Sequence, residues 1–157
     1  MQIDNKICSF FGHRSINVTN ELYTILKKEI LSSIEKGCNV FYFGGFGDFD
    51  ELCRRTVANI KNSLHKNNIK LVYCVPQERY LRRKSNLFNS DDYDQIIYLE
   101  PSFTGWYKSI YFRNCAMIDQ SDTIIFYVQK RENSGAYKAY EYAKKQKNKL
   151  VINLYKD

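Results

Sequence analysis

Nothing in this 157-residue chain approaches the roughly 20 consecutive apolar residues that a bilayer-spanning helix needs. The N-terminus, Met1-Gln2-Ile3-Asp4-Asn5-Lys6, lacks the basic-then-apolar order of a secretory leader, so a cytoplasmic location and no membrane partner are expected. Histidines number two, which excludes a histidine-rich metal centre. The five cysteines, Cys8, Cys38, Cys53, Cys74 and Cys115, are odd in number and never spaced C-x-x-C, so neither a disulfide framework nor a metal site is expected. Cys8 and Cys74 fall in strand-like runs, and Cys53 and Cys115 in helix-like ones, which suits buried reduced thiols. Internal repeats and low-complexity segments are missing as well.

What is present is the composition of an ordinary folded domain, 44% hydrophobic and 26% charged, in a chain long enough to bury a core. The 157 residues are read as a single domain. The net charge of +7 is uneven: through Asp50 there are five Lys/Arg against six Asp/Glu, and from Glu51 onward nineteen against eleven. An anionic partner is favoured, whether a nucleotide, a nucleic acid or an acidic protein. A solvated lysine face is the ordinary explanation for Lys144-Lys145-Gln146-Lys147.

The apolar pattern alternates strands with helices. Strands are expected at Ile7–Phe11, Val40–Phe43, Leu71–Val75, Ile124–Val128 and Leu150–Leu154. A helix capped by Thr19 or Asn20 should run to about Lys36, burying Leu22, Ile25, Leu26, Ile30 and Ile34, with Gly37 as its stop. A second should start at Asp48 or Asp50 and carry Leu52, Val57, Ile60 and Leu64. Others are expected from about Tyr107 to Asp119 and from Gly135 to Lys145. Such an order means α/β, with a mostly parallel sheet and helices on both faces. Gln77 to Tyr107 is the least regular stretch, holding Arg79, Arg82, Arg83, Lys84 and the short apolar segment Ile96–Leu99. It reads as a functional loop or an ordinary insertion.

Three strand ends carry glycine turns: Gly12-His13-Arg14, Gly44-Gly45-Phe46-Gly47, and Ser134-Gly135-Ala136 after a short polar loop. In an open α/β sheet such turns gather at one edge, where ligands bind. Helix N-termini there offer N–H groups and partial positive charge, which suits a phosphate-bearing ligand. Glycines at 44, 45 and 47 let the backbone approach closely. Asp48, Asp50 and Glu51 suit a helix start electrostatically; their sharper role is to hold ribose hydroxyls or, for Asp50 and Glu51, to act at an anomeric carbon. G-G-x-G on the second turn is not the G-x-G-x-x-G of a dinucleotide fingerprint. Arg14 suits bidentate phosphate binding; His13 is open to the roles of acid, hydrogen-bond donor or loop anchor. Trp106 and Tyr107 are candidates to cover a base, against ordinary core packing, and Arg113, beside Asn114, is a candidate anion ligand. Arg113→Ala is expected to abolish ligand binding with the fold intact.

Taken together, Gly12-His13-Arg14, Gly44-Gly45-x-Gly47-x-Phe49-Asp50, Arg113-Asn114-x-x-Met117-Ile118-Asp119-x-Ser121-Asp122 and Ser134-Gly135-Ala136 resemble the SLOG superfamily, which includes DNA-processing protein A, the LONELY GUY proteins and a YpsA-like branch. The resemblance runs from about Lys6 to Leu154. It implies a Rossmann-like three-layer fold, a nucleotide or nucleotide-derived ligand (cyclic and ADP-ribose-like ones included) at the glycine turns, and a homo-oligomer. No cofactor is implied. Alternatives within the family are cleavage of the N-glycosidic bond of nucleoside monophosphates and binding of single-stranded DNA. Aligning Gly135-Ala136 with the Gly-Thr of the hydrolase loop places Ala139 where those enzymes carry their glutamate.

Overall fold

The central strands are buried in continuous runs, and because successive side chains point to opposite faces they build a core on each side of one sheet. The computed structural model describes residues 5–45, 47–81, 90–99, 108–131 and 133–156. Its elements are β1 (Lys6–Gly12), α1 (Asn20–Glu35), β2 (Cys38–Phe43), α2 (Asp48–Ser63), β3 (Lys70–Val75), β4 (Gln95–Tyr98), α3 (Ser109–Gln120), β5 (Thr123–Tyr127), α4 (Gly135–Lys144) and β6 (Leu150–Asn153). Short 3-10 turns lie at Glu78–Leu81 and Ser90–Asp92. The strands pair in the order β4-β3-β2-β1-β5-β6, every pair parallel. This is the Rossmann-like α/β architecture expected from the sequence.

Because side chains alternate across a strand, one face of the sheet presents Cys8, Phe10, Phe41, Phe43 and Leu71. These meet Leu22, Leu26 and Ile30 of α1 and Phe49, Cys53, Val57 and Ile60 of α2. The other face presents Phe11, Tyr42, Val72, Cys74 and Phe126 against Met117 and Ile118 of α3 and Ala139 and Ala143 of α4. Such fully buried side chains are each worth roughly 1.5–3 kcal/mol of transfer free energy. Right-handed crossovers explain the layering: β1 to β3 wind outward with α1 and α2 on one face, and the chain then returns to lay β5 on the far side of β1 with α3 and α4 on the other. The order therefore reverses between β1 and β5.

Helix ends follow their residues. Thr19 caps α1, its hydroxyl accepting the Leu22 N–H at 3.1 Å. Gly37, at φ 105°, ends α1 in the left-handed region that glycine tolerates. Several sequence expectations need correction. Ile96–Leu99 is not merely an apolar stretch, because Gln95–Tyr98 forms the edge strand β4. Leu64 lies past the end of α2 and is 48% exposed, and Ile25, flanking the Leu22–Leu26–Ile30 stripe, is 36% exposed. Phe49 and Cys53, one turn apart on the face toward the sheet, are fully buried instead. All five cysteines are free thiols, four buried and Cys115 half-buried. Burial pushes Cys8 and Cys53 well up, and Cys74 to about 12, so these thiols stay protonated. Among the described residues, no helix is long and apolar enough to cross a membrane.

Candidate functional site

A cavity of about 710 Å³ opens where the strand order reverses, at the C-terminal ends of β1 and β5. A reversal of this kind splays the two flanking connections to opposite faces and leaves a crevice between them. Gly12, His13, Arg14, Gly44, Asp50, Arg113, Asn114, Ser134, Gly135 and Ala136 line it. The β1, β2 and β5 turns and the start of α3, separated by up to 124 positions in the chain, thus converge on one site.

The β1 turn is held by packing and hydrogen bonds. Gly12 lies over Phe49, whose ring fills the space a Cβ would need. His13 is buried, and its Nε2 accepts the Gln129 N–H at 2.9 Å. Nδ1 lies 3.2 Å from Ser134 Oγ. With Nε2 accepting, the neutral ring carries its proton on Nδ1 and donates to Ser134. Burial and the nearby Arg131 guanidinium hold the imidazole below its ordinary value, which keeps this neutral form at physiological pH. Of the roles open to His13, the contacts are those of an anchor and hydrogen-bond donor.

The Gly44–Gly47 loop is shaped by its neighbours. Gly45 sits at φ 75° with the Tyr73 ring where its Cβ would go, and Gly47 at φ 97° against the backbone of Arg14. Asp48 is turned to the β1 loop: its N–H donates to Arg14 O at 2.8 Å, and its carboxylate accepts the Ile16 N–H at 3.1 Å. Asp50, two residues on, borders the cavity. Glu51 is directed elsewhere, to Arg54 at 2.6 Å and Arg55 at 3.0 Å. Hydrogen bonds from Arg54, with help from Arg55, hold its carboxyl below the usual range. Gly45, Gly47, Asp48 and Glu51 thus stand outside the cavity lining, while Phe46 lies outside the described residues.

Arg113 comes from the buried side of α3 and is only 7% exposed. Its Nη1 donates to Gly44 O at 3.0 Å and Cys74 O at 3.2 Å, and its Nε to Asn114 Oδ1 at 3.2 Å. The guanidinium therefore ties the ends of β2 and β3 together beside the cavity. Burial lowers its pKa, with Tyr73 and Asp50 acting against that shift. Removing this side chain would take a charged donor from two strand-end carbonyls, so Arg113→Ala is expected to cost stability as well as ligand binding. Trp106, Tyr107, Arg82, Arg83 and Lys84 lie outside the described residues.

At α4, Ser134 Oγ caps the helix by accepting the Tyr137 N–H at 3.1 Å. Gly135 differs from the other turn glycines: no neighbouring atom lies within 4 Å of where its Cβ would be, and its φ is not positive. The first turn of α4 has no acidic residue, whereas that of α2 has three. Ala139 is fully buried in the core, and Glu141 is on the outer side with Lys138 and Lys145, so neither reaches the cavity lining.

Sequence reasoning missed Tyr73, Pro76, Tyr80, Ile110, Arg131 and Asn133, all of which line the cavity. Arg131 and Asn133 sit in the polar loop immediately before the Ser134 cap, a place from which a side chain reaches the same helix start. Tyr73 was legible only through its register opposite Phe43. The chemistry assembled is amphipathic, with three arginines, one carboxylate, a serine cap and a wall of Tyr73, Tyr80, Pro76 and Ile110. Among the described residues, no group of three His, Cys, Asp or Glu side chains is arranged to hold a metal.

No protein-family model and no curated protein sequence matches the chain. Solved structures do. DNA processing protein A from Streptococcus pneumoniae superposes with a TM-score of 0.66 at 13% identity, over 98% of this chain and 51% of that one. DNA processing protein A from Helicobacter pylori, described for its unique single-stranded DNA binding mode, gives 0.56 at 19% identity, over 94% and 64%. TM1055, a structural-genomics target, gives 0.53 at 16%, over 88% and 68%. The chain thus spans about half the length of the first protein and under two thirds of the second. The fold implied by the SLOG resemblance is the fold that this chain shares with DNA processing protein A.

Proposed function

We propose that this chain, acting as one ligand-binding domain, binds a nucleotide or nucleotide-derived ligand in the cavity between the ends of β1 and β5. The observation carrying this reading is the convergence there of the acid-free α4 N-terminus, Arg14 and Arg131 with an aromatic and apolar wall. Phosphate would lie at Ser134–Ala136, where Gly135 gives it room, and charge-assisted bonds from the arginines would hold it. Asp50, in the first turn of α2, would accept ribose hydroxyls, and Tyr73 or Tyr80 would pack against the base. With Glu51 paired to two arginines and Ala139 buried, Asp50 is the candidate left for N-glycoside cleavage, so binding without turnover is the preferred reading.

A thermal-shift screen of nucleoside monophosphates, cyclic nucleotides, ADP-ribose and short DNA tests this, with each hit recovered and assayed for free base. Stabilisation by a nucleotide returned intact is the expected result. Arg131→Ala, whose residue is exposed, should weaken that hit about tenfold or more at unchanged stability, the loss of one charge-assisted contact of roughly 1.5–3 kcal/mol. A second reading, a single-stranded nucleic acid partner, draws on the binding described for the Helicobacter pylori neighbour. A steep fall of affinity with salt would favour it over a compact pocket.

A further inference from the structure

Both ring nitrogens of His13 are engaged, by residues near the two ends of the β5–α4 connection. Nε2 accepts from Gln129 N–H just past β5, and Nδ1 meets Ser134 Oγ, the cap of α4. The His13 N–H itself pairs with Tyr127 O, so the residue is anchored to β5 from its backbone as well. Because Ser134 Oγ already accepts from Tyr137 N–H and receives the His13 proton, its own hydrogen is left to point elsewhere. The bond to Gln129 exists only while Nε2 keeps its lone pair. An imidazolium would set a second N–H against the Gln129 N–H, a donor facing a donor.

We infer that His13 is the positioning residue of this cavity: neutral, it links the Ser134 cap of α4 to the end of β5 through Gln129, and protonated it keeps the Ser134 bond but gives up the Gln129 one, so that link is broken. The inference rests on reading the cavity as the ligand site. Other charged groups around the cavity are Arg14 from the same turn, Arg131 from the β5–α4 loop, Arg113 from α3 and Asp50 from α2. Burial and the Arg131 guanidinium set the balance toward the neutral ring.

The test is an NMR titration from pH 8 to pH 4.5 of the full chain and of His13→Gln, following the ring of His13 and the amides of Gln129, Gly135 and Ala136. Glutamine can keep an acceptor toward Gln129 but does not titrate. The expected result is that all three amides move with the His13 midpoint and that the transition is lost in His13→Gln. The affinity for ADP-ribose, whose pyrophosphate does not titrate here, should change with the same midpoint by up to tenfold per pH unit in the wild type and stay flat in the variant. Gly135 and Ala136 amides indifferent to the His13 ring would overturn the inference, and so would a transition that persists in the variant. If ADP-ribose fails to bind at any pH while the amides follow the ring, the positioning role stands and the ligand reading fails. Should His13→Gln not fold, the wild-type amides decide alone.

Discussion

Gly45 and Gly135 both sit at strand-to-helix turns, yet they are glycine for different reasons. At Gly45 a side chain would need both the left-handed backbone and the space held by Tyr73, so Gly45→Ala should cost roughly 2 kcal/mol or more in urea unfolding. Gly135 has neither constraint; Gly135→Ala should change stability by less than about 1 kcal/mol while weakening ligand affinity. Equal destabilisation of the two variants would remove the reason for assigning Gly135 to the ligand. Arg113→Ala should cost roughly 2–4 kcal/mol, because the Gly44 and Cys74 carbonyls lose a charged donor. Its ligand affinity is therefore interpretable only beside its unfolding curve. At this scale the sequence identified which residues cluster, because glycine turns and Arg113 are conspicuous. It could not separate Asp50 from Asp48 and Glu51: three acids in one helical turn read alike, and only their directions to the cavity, Ile16 and Arg54 distinguish them.

Elements were legible where local chemistry and burial agree. Thr19 before an apolar stripe and Gly37 after it bracket α1 because the cap and stop are made by those residues themselves. Thr19→Ala and Ser134→Ala should each lower stability by about 1 kcal/mol, the worth of one cap. Ser134→Ala should also weaken ligand binding and Thr19→Ala should not; loss of binding in both would mean that the α4 cap has no special role. β4 was missed because its residues are at most half-buried on the sheet edge, where the apolar signal is weakest. The buried face of α2 was misjudged for another reason: Phe49 stands among acids, and its burial is dictated by Gly12 and Tyr127, distant in sequence, on the sheet face it packs against.

For the whole molecule, alternation of strands and helices gave the layers, but not the reversal of strand order beside β1 that makes the cavity. That reversal depends on where the chain re-enters the sheet after β4, a long-range choice no local pattern encodes. Acid should destabilise the fold in two stages. His13 is held below 6.5 by burial and Arg131, so its contribution is complete above that pH and is lost as pH falls through its lowered folded value. Asp94, which burial pushes up, is held below the usual carboxylate value by Leu71 N–H and Lys61, and its contribution disappears at lower pH still. Chemical denaturation from pH 8 to pH 3 should show a shallow decline beginning near 6.5 and a steeper one through the carboxylate range; His13→Gln should remove the first alone. The most direct test of the central claim is amide shift mapping with a nucleotide hit from the screen. Shifts concentrated at residues 12–15, 44, 113–114, 131 and 133–136 are the result the cavity demands. Shifts confined to the lysine-bearing outer face around Lys138 and Lys145, with the β1 and α4 turns silent, would contradict it.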